Sequence, residues 1–173
     1  MANTYTLIQS VTVGSGGAAS IDFTSIPQTY TDLMLVISMR TTNASVADYA
    51  SVSFNSSTTS YALRLVSGDG SAASSSSFTT SPNYRIINAV VGDNATANVF
   101  STGSLYMPNY TSSNNKSYSV DFSRENNTTG NEMSLGAGLW SNSAAVTSIT
   151  LTSWAGATIK QYSSASLYGI KNS

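Results

Sequence analysis

The longest nearly unbroken apolar run in the chain is Asp32-Leu-Met-Leu-Val-Ile-Ser-Met-Arg40. A run of this length with polar ends fits a strand covered on both faces, or a buried helix segment. Val36 and Ile37 are β-branched, Pro27 and Thr29-Tyr-Thr31 precede the run, and Thr41-Thr-Asn43 follow it. Those neighbours decide for a strand. The pattern predicts a central core strand with Asp32 and Arg40 at its two wet ends.

Around it, apolar and hydroxyl side chains alternate with period two, the signature of half-buried strands. Thr4 to Val13 and Ala18 to Phe23, separated by Gly14-Ser-Gly-Gly17, predict a first hairpin. Tyr49 to Asn55 and Tyr61 to Val66, separated by Asn55-Ser-Ser-Thr-Thr59, predict a second. The Ser/Ala tract from Ser71 to Ser77 has no period and predicts an exposed loop. Tyr84 to Val91 fits either a short strand or a helical turn. Asn98 to Met107 predicts a strand closed by Pro108-Asn-Tyr110. Lys116 to Arg124 puts Tyr118, Val120 and Phe122 on one face, and Asn126 to Gly130 reads as a loop. Glu132 to Trp140 puts Met133, Leu135, Ala137 and Leu139 on one face. Ala145 to Ser153 is a strand turned by Trp154-Ala-Gly156, and Ala165 to Ile170 is the last one. About ten strands, with a turn signal every 8–12 residues or so, predict an antiparallel sandwich or barrel. No stretch sustains a helical period.

Composition narrows the function classes. The 173 residues fit one domain, 1–173, with charged residues at only 9% and a net charge of −1. There is no basic field for nucleic acid. Solubility rests on hydroxyls and amides, a surface that tolerates being packed against another. The chain lacks Cys and His, so a disulfide scaffold is excluded and zinc, haem or copper sites are disfavoured; no cofactor is expected. No apolar run approaches the ~20 residues of a membrane helix. The N-terminus has no signal-peptide pattern, which predicts a protein made in a cytoplasm that remains there or leaves by lysis.

Candidate chemistry is sparse. Nucleophilic catalysis by Ser or Thr needs a base, and only Lys116, Lys160 and Lys171 are candidates, none in a recognisable motif. A glycosidase needs two carboxylates ~5–9.5 Å apart. Asp121 and Glu125 on one strand are ~13 Å apart, and the remaining possibility is convergence of Asp32, Asp48 and Asp121. Gly68-Asp69-Gly70 and Gly92-Asp93-Asn94 are plain turns or oxygen donors to calcium. Tyr106, Tyr110, Trp140 and Trp154 have the chemistry to stack on sugars, and equally to fill a core or a subunit interface.

Several segments resemble a known group of proteins. They are Ser134-Leu-Gly-Ala-Gly-Leu-Trp140, Ala145-Val-Thr-Ser-Ile-Thr-Leu151, Ala165-Ser-Leu-Tyr-Gly-Ile-Lys171, Gly16-Gly-Ala-Ala-Ser-Ile-Asp-Phe23, Ile26-Pro27, Tyr30-Thr-Asp-Leu33 and Met107-Pro-Asn-Tyr110. Together they resemble small virion structural proteins of tailed bacteriophages, especially cyanophages and other marine phages. The resemblance implies a jelly-roll-like β-sandwich without enzymatic activity on the particle surface. It implies a capsid decoration or cement protein that binds the head and stabilises it. The alternative is a tail-fibre or appendage module that binds a host receptor or glycan. Implied partners are the major capsid protein or other virion proteins, and further copies of the chain, with a trimer as one arrangement.

Overall fold

The computed structural model describes residues 4–79, 85–125 and 131–171. The expected Asn126 to Gly130 loop and the start of the Tyr84 segment lie outside them. The described residues form twelve strands and no helix. These are β1 (Tyr5–Thr12), β2 (Ser20–Phe23), β3 (Asp32–Met39), β4 (Ala47–Phe54), β5 (Tyr61–Gly68) and β6 (Ala73–Thr79). They continue with β7 (Arg85–Val91), β8 (Ser101–Met107), β9 (Lys116–Glu125), β10 (Asn131–Trp140), β11 (Ile149–Ser153) and β12 (Ser164–Ile170). All strand pairs are antiparallel. They build an eight-stranded sheet, β1-β12-β3-β8-β9-β10-β5-β6, and a four-stranded sheet, β2-β11-β4-β7. The fold is an all-β sandwich.

Two expected hairpins do not form. β1 pairs β12 in the large sheet while β2 pairs β11 in the small one, and β4 and β5 are likewise split between sheets. The intervening turns are corners that carry the chain across the core. Asn55, Ser56 and Ser60 adopt left-handed backbone at the second corner. Asn55 ties that corner down, with its Oδ1 accepting the N–H groups of Thr147 and Ser148 at 2.8 and 3.1 Å. The Ser/Ala tract is not a loop either: residues from Ala73 on form edge strand β6, paired along its length with β5.

Set aside the hairpins β5–β6 and β9–β10, and the remaining eight strands switch sheets at every step except β4 to β7, which pair within the small sheet. Their orders are β1-β12-β3-β8 and β2-β11-β4-β7. The two hairpins join each other through β10 and β5 and widen one sheet from four strands to eight.

The core lies between the sheets. From the large sheet it takes Leu33, Leu35, Ile37, Leu105, Phe122 and Leu167, and from the small sheet Ile21, Phe23, Val52, Phe54, Ile149 and Leu151. Strand β3 is a core strand on one face only. Val36, on its other face, is 43% exposed. The apolar run is therefore half covered, and Met34 and Val36 belong to an outer surface. Nor are its ends wet: Asp32 and Arg40 are 3% and 4% exposed.

Candidate interaction surface

Among the described residues four charged side chains are buried: Asp32, Arg40, Asp48 and Lys116. Each finds backbone groups or hydroxyls, as a buried charge must find partners. Asp32 accepts Tyr106 Oη at 2.8 Å and the Asn109 N–H at 2.9 Å. That bond, with Tyr106 as donor, raises the Tyr106 pKa. Asp48 accepts Thr41 Oγ1 and Ser153 Oγ, both at 2.7 Å, and the Tyr49 N–H. Lys116 donates to the carbonyls of Ser112, Asn114 and Asn142, and burial lowers its pKa. Arg40 donates to four carbonyls of one loop, those of Asp93, Ala95, Thr96 and Val99.

The carboxylates considered for hydrolysis do not converge. Asp48 faces the core from the small sheet, Asp121 faces outward on β9, and Asp32 is sealed at one end of β3. The two Asp-Gly turns are held by their own surroundings. Asp69 Oδ1 accepts the N–H groups of Ala72 and Ser71 and the Ser71 hydroxyl, bonds that lower its pKa to about 2. Asp93 Oδ1 is 2.5 Å from Lys160 Nζ and 3.8 Å from Arg40 Nη2, and its pKa is lowered chiefly by the Lys160 bond. Among the described residues no three His, Cys, Asp or Glu side chains gather.

The four aromatics singled out from the sequence are scattered. Trp140 is buried, its ring stacked on Tyr61 at 6.3 Å and tilted against Phe54 at 5.7 Å. Tyr110 is buried, its hydroxyl donating to the Pro27 carbonyl. These two are core residues, out of reach of a sugar or a partner. Tyr106 lies half-buried on the outer face of β8, and Trp154 is 37% exposed in the turn after β11.

What the strands do bring together is the outer face of the large sheet. Pairing places Leu7, Tyr168, Met34, Tyr106, Ser119, Ala137, Arg64 and Ser77 in one row across all eight strands. The adjacent row runs through Ser166, Val36, Ser104, Asp121, Leu135, Val66 and Ser75. Ten large apolar or aromatic side chains are exposed among the described residues. Seven of them, Tyr5, Leu7, Val36, Val66, Met133, Leu135 and Leu139, lie on this one face. In its middle only Arg64 and Asp121 bring charge. A shallow depression of about 600 Å³, lined by Arg64, Val66, Leu135 and Ser75–Ser77, marks the β5–β6–β10 part. The exposed and half-exposed outer positions of the small sheet, by contrast, include Ser20, Asp22, Thr150 and Thr152.

The alternation in β10 was visible in the sequence, but its direction was not. Met133, Leu135, Ala137 and Leu139 point out, and Ser134, Gly136, Gly138 and Trp140 point in. No protein-family model matches the chain, and no curated protein or solved structure matches it.

Proposed function

We propose that this chain is a non-enzymatic structural protein of a bacteriophage particle that coats the outside of the head as a decoration or cement protein. The observation that carries the reading is the concentration of exposed apolar side chains on the low-charge outer face of the eight-stranded sheet. Contiguous apolar surface on a soluble domain marks an interaction site. Eight strands at ~4.8 Å spacing and about seven residues of length give a face of about 34 by 23 Å, or about 800 Å². That is the share one partner contributes to a stable interface of standard size. The occupant is a flat, weakly charged surface of another virion protein, the major capsid protein first.

Fold wiring supports the same reading. Eight strands in the two orders given above fit the jelly-roll arrangement that the resemblance implies. The two inserted hairpins then double the width of one face, the face that docks. The mechanism is linkage: a protein that binds the assembled shell and not its dissociated subunits stabilises the shell by mass action.

The test is the number of copies per purified particle, by quantitative mass spectrometry against the major capsid protein. A ratio of one to one, or one to a few, supports decoration. A ratio below about one to twenty transfers the protein to a tail appendage, given the symmetry such assemblies carry. Absence from the particle overturns both.

A further inference from the structure

A second feature lies off the docking face, at one end of the sandwich. Arg40 closes β3, Asn98 and Phe100 lead into β8, and Lys160–Tyr162 lead into β12. Since β8 and β12 both run antiparallel to β3, the three segments meet at the same end. They line a cleft of about 250 Å³ with Asp93, Ala95, Ala97 and Gln161.

Its walls are built. The four carbonyl bonds from buried Arg40 wrap the loop 93–99 around the guanidinium. Opposite, the Ser163 N–H donates to the Lys160 carbonyl at 3.1 Å, closing a four-residue turn. The Tyr162 N–H is pinned to the Val13 carbonyl at 3.0 Å.

Tyr162 is the residue the fold does not explain. It occupies the third position of that turn with φ 71°, where glycine or asparagine is favoured. Its side chain is 67% exposed, so it adds little to the core. A bulky aromatic in left-handed backbone is a local cost, and such costs gather at sites that use them. Asn98, across the cleft, is also left-handed, with φ 62°.

Charge selects the ligand class. Arg40 is buried with both terminal nitrogens bonded to carbonyls, and Lys160 is paired with Asp93 at 2.5 Å. The exposed charges of the cleft, Lys160 and Asp93, thus neutralise each other, and the buried Arg40 is out of a ligand's reach. The cleft offers an exposed phenol ring, a half-buried Phe100, and the side-chain amides of Gln161 and Asn98. An aromatic face beside amide donors and acceptors matches a pyranose ring, apolar on its C–H face and polar at its hydroxyls.

We propose that this cleft binds a neutral saccharide, with Tyr162 as its stacking platform and Gln161 and Asn98 as hydroxyl partners. The site does not depend on the virion role, and both can be occupied together because the cleft lies at the end of the sheet and not on its outer face.

The test uses the purified full chain on an array of hexose and N-acetylhexosamine oligosaccharides with sulfated and uronate-bearing glycans beside them, followed by NMR titration of the best binder. Expected are a Kd on the order of 1 mM or tighter and shifts centred on residues 93–100 and 160–162. Tyr162→Phe keeps the ring and keeps binding. Tyr162→Gly weakens binding by about tenfold or more while Tm holds or rises, because glycine suits the turn. Four results each overturn the proposal: no neutral glycan binding, shifts confined to another surface, undiminished binding by Tyr162→Gly, or binding restricted to sulfated or uronate-bearing glycans. A copy-number result bears only on the virion role, so the two proposals fail separately.

Discussion

The ring of Tyr118 lies flat over the backbone of Gly138, its direct cross-strand partner in β10. A Cβ placed on Gly138 would come within 2.0 Å of the ring. The same relationship joins Phe122 to Gly103 of β8, where the added Cβ would also strike the Asp121 carbonyl. Aromatic rings over strand glycines recover apolar burial that the glycines cannot supply. They also explain how β9 and β10, added beyond β1-β12-β3-β8 in the large sheet, fill their inner side. The Tyr118 ring is held from behind by Phe54, edge-on at 5.5 Å, and Phe54 by Trp140. It has no room to swing away. Gly138→Ala is therefore expected to destabilise by about 1–3 kcal/mol, the usual cost of overpacking. Urea denaturation checks it. In a Tyr118→Ala background the same substitution should cost little or nothing, and a cost that persists there would show that the backbone, not the ring, sets the constraint.

The Tyr118 hydroxyl is buried with no hydrogen-bond partner among the described residues. Tyr118→Phe keeps the ring over Gly138 and removes the stranded polar group. It should be neutral or stabilising by up to about 1 kcal/mol, since an unsatisfied buried hydroxyl carries a desolvation cost and no return. A loss of more than that in the denaturation midpoint would mean that the hydroxyl has a partner.

Arg40 and Lys116 hold loops, each through backbone carbonyls. Arg40→Met strands the four carbonyls of the 93–99 loop and should cost about 3–5 kcal/mol. Lys116→Met strands those of Ser112, Asn114 and Asn142 and should cost about 2–3 kcal/mol. Circular dichroism melts rank the two. A Lys116→Met protein as stable as the parent would show that water takes over the three acceptors.

Much of this architecture was legible, and the failures have physical causes. The inward face of β9 followed directly from alternation at Tyr118, Val120 and Phe122, whereas the unbroken run of β3 gave no sign that only Leu33, Leu35 and Ile37 face the core. Pairing was misread because consecutive strands are neighbours in most folds, whereas here β1 to β2 and β4 to β5 cross between sheets. The Ser/Ala tract has no hydrophobic period to announce β6, whose side chains nearly all face water and whose strand exists through backbone pairing with β5. Asp32 and Arg40 looked like wet ends because a single charged residue gives no hint that carbonyls and hydroxyls elsewhere will enclose it. Tyr162 and Gln161 carried no signal, since left-handed backbone at a tyrosine is not written in composition.

If the outer face of the large sheet docks on the particle, its apolar side chains are free of structural duty. Leu135→Lys, whose lysine faces Asp121 across the pair, and Val66→Glu should leave the unfolding free energy within about 0.5 kcal/mol of the parent, as for other exposed positions. Both should lose association with particles stripped of the protein, measured by co-sedimentation. Asp22→Ala on the small sheet's outer face is the control, expected to bind as the parent does. Parent-like binding by both apolar variants would remove the sheet face from the proposal.

Alkali should unfold the protein through its tyrosines. Burial raises the pKa of Tyr61, Tyr110 and Tyr118, and the bond to Asp32 raises that of Tyr106. An unfolded tyrosine gives up its proton near pH 10. Above that pH the unfolded chain binds fewer protons than the folded one, so stability falls as pH rises, and keeps falling until the folded pKa is passed. For Tyr61 and Tyr118, the most strongly shifted, the slope approaches about 1.4 kcal/mol per pH unit each. Lys116 acts the other way, because its folded pKa is depressed. Between that value and its unfolded one near 10.5 the unfolded chain binds the extra proton, and stability rises with pH. This gain ends near pH 10.5, after which the tyrosines act alone. The expected profile is therefore a shallow change up to about pH 10.5, then a steep fall in the urea midpoint. Tyr118→Phe should flatten the fall by one tyrosine's share. Tyrosinate absorbance at 295 nm should appear in two stages, exposed rings first and buried rings only with unfolding. A single stage that precedes unfolding would place Tyr61 and Tyr118 in contact with water and refute the packing described for them.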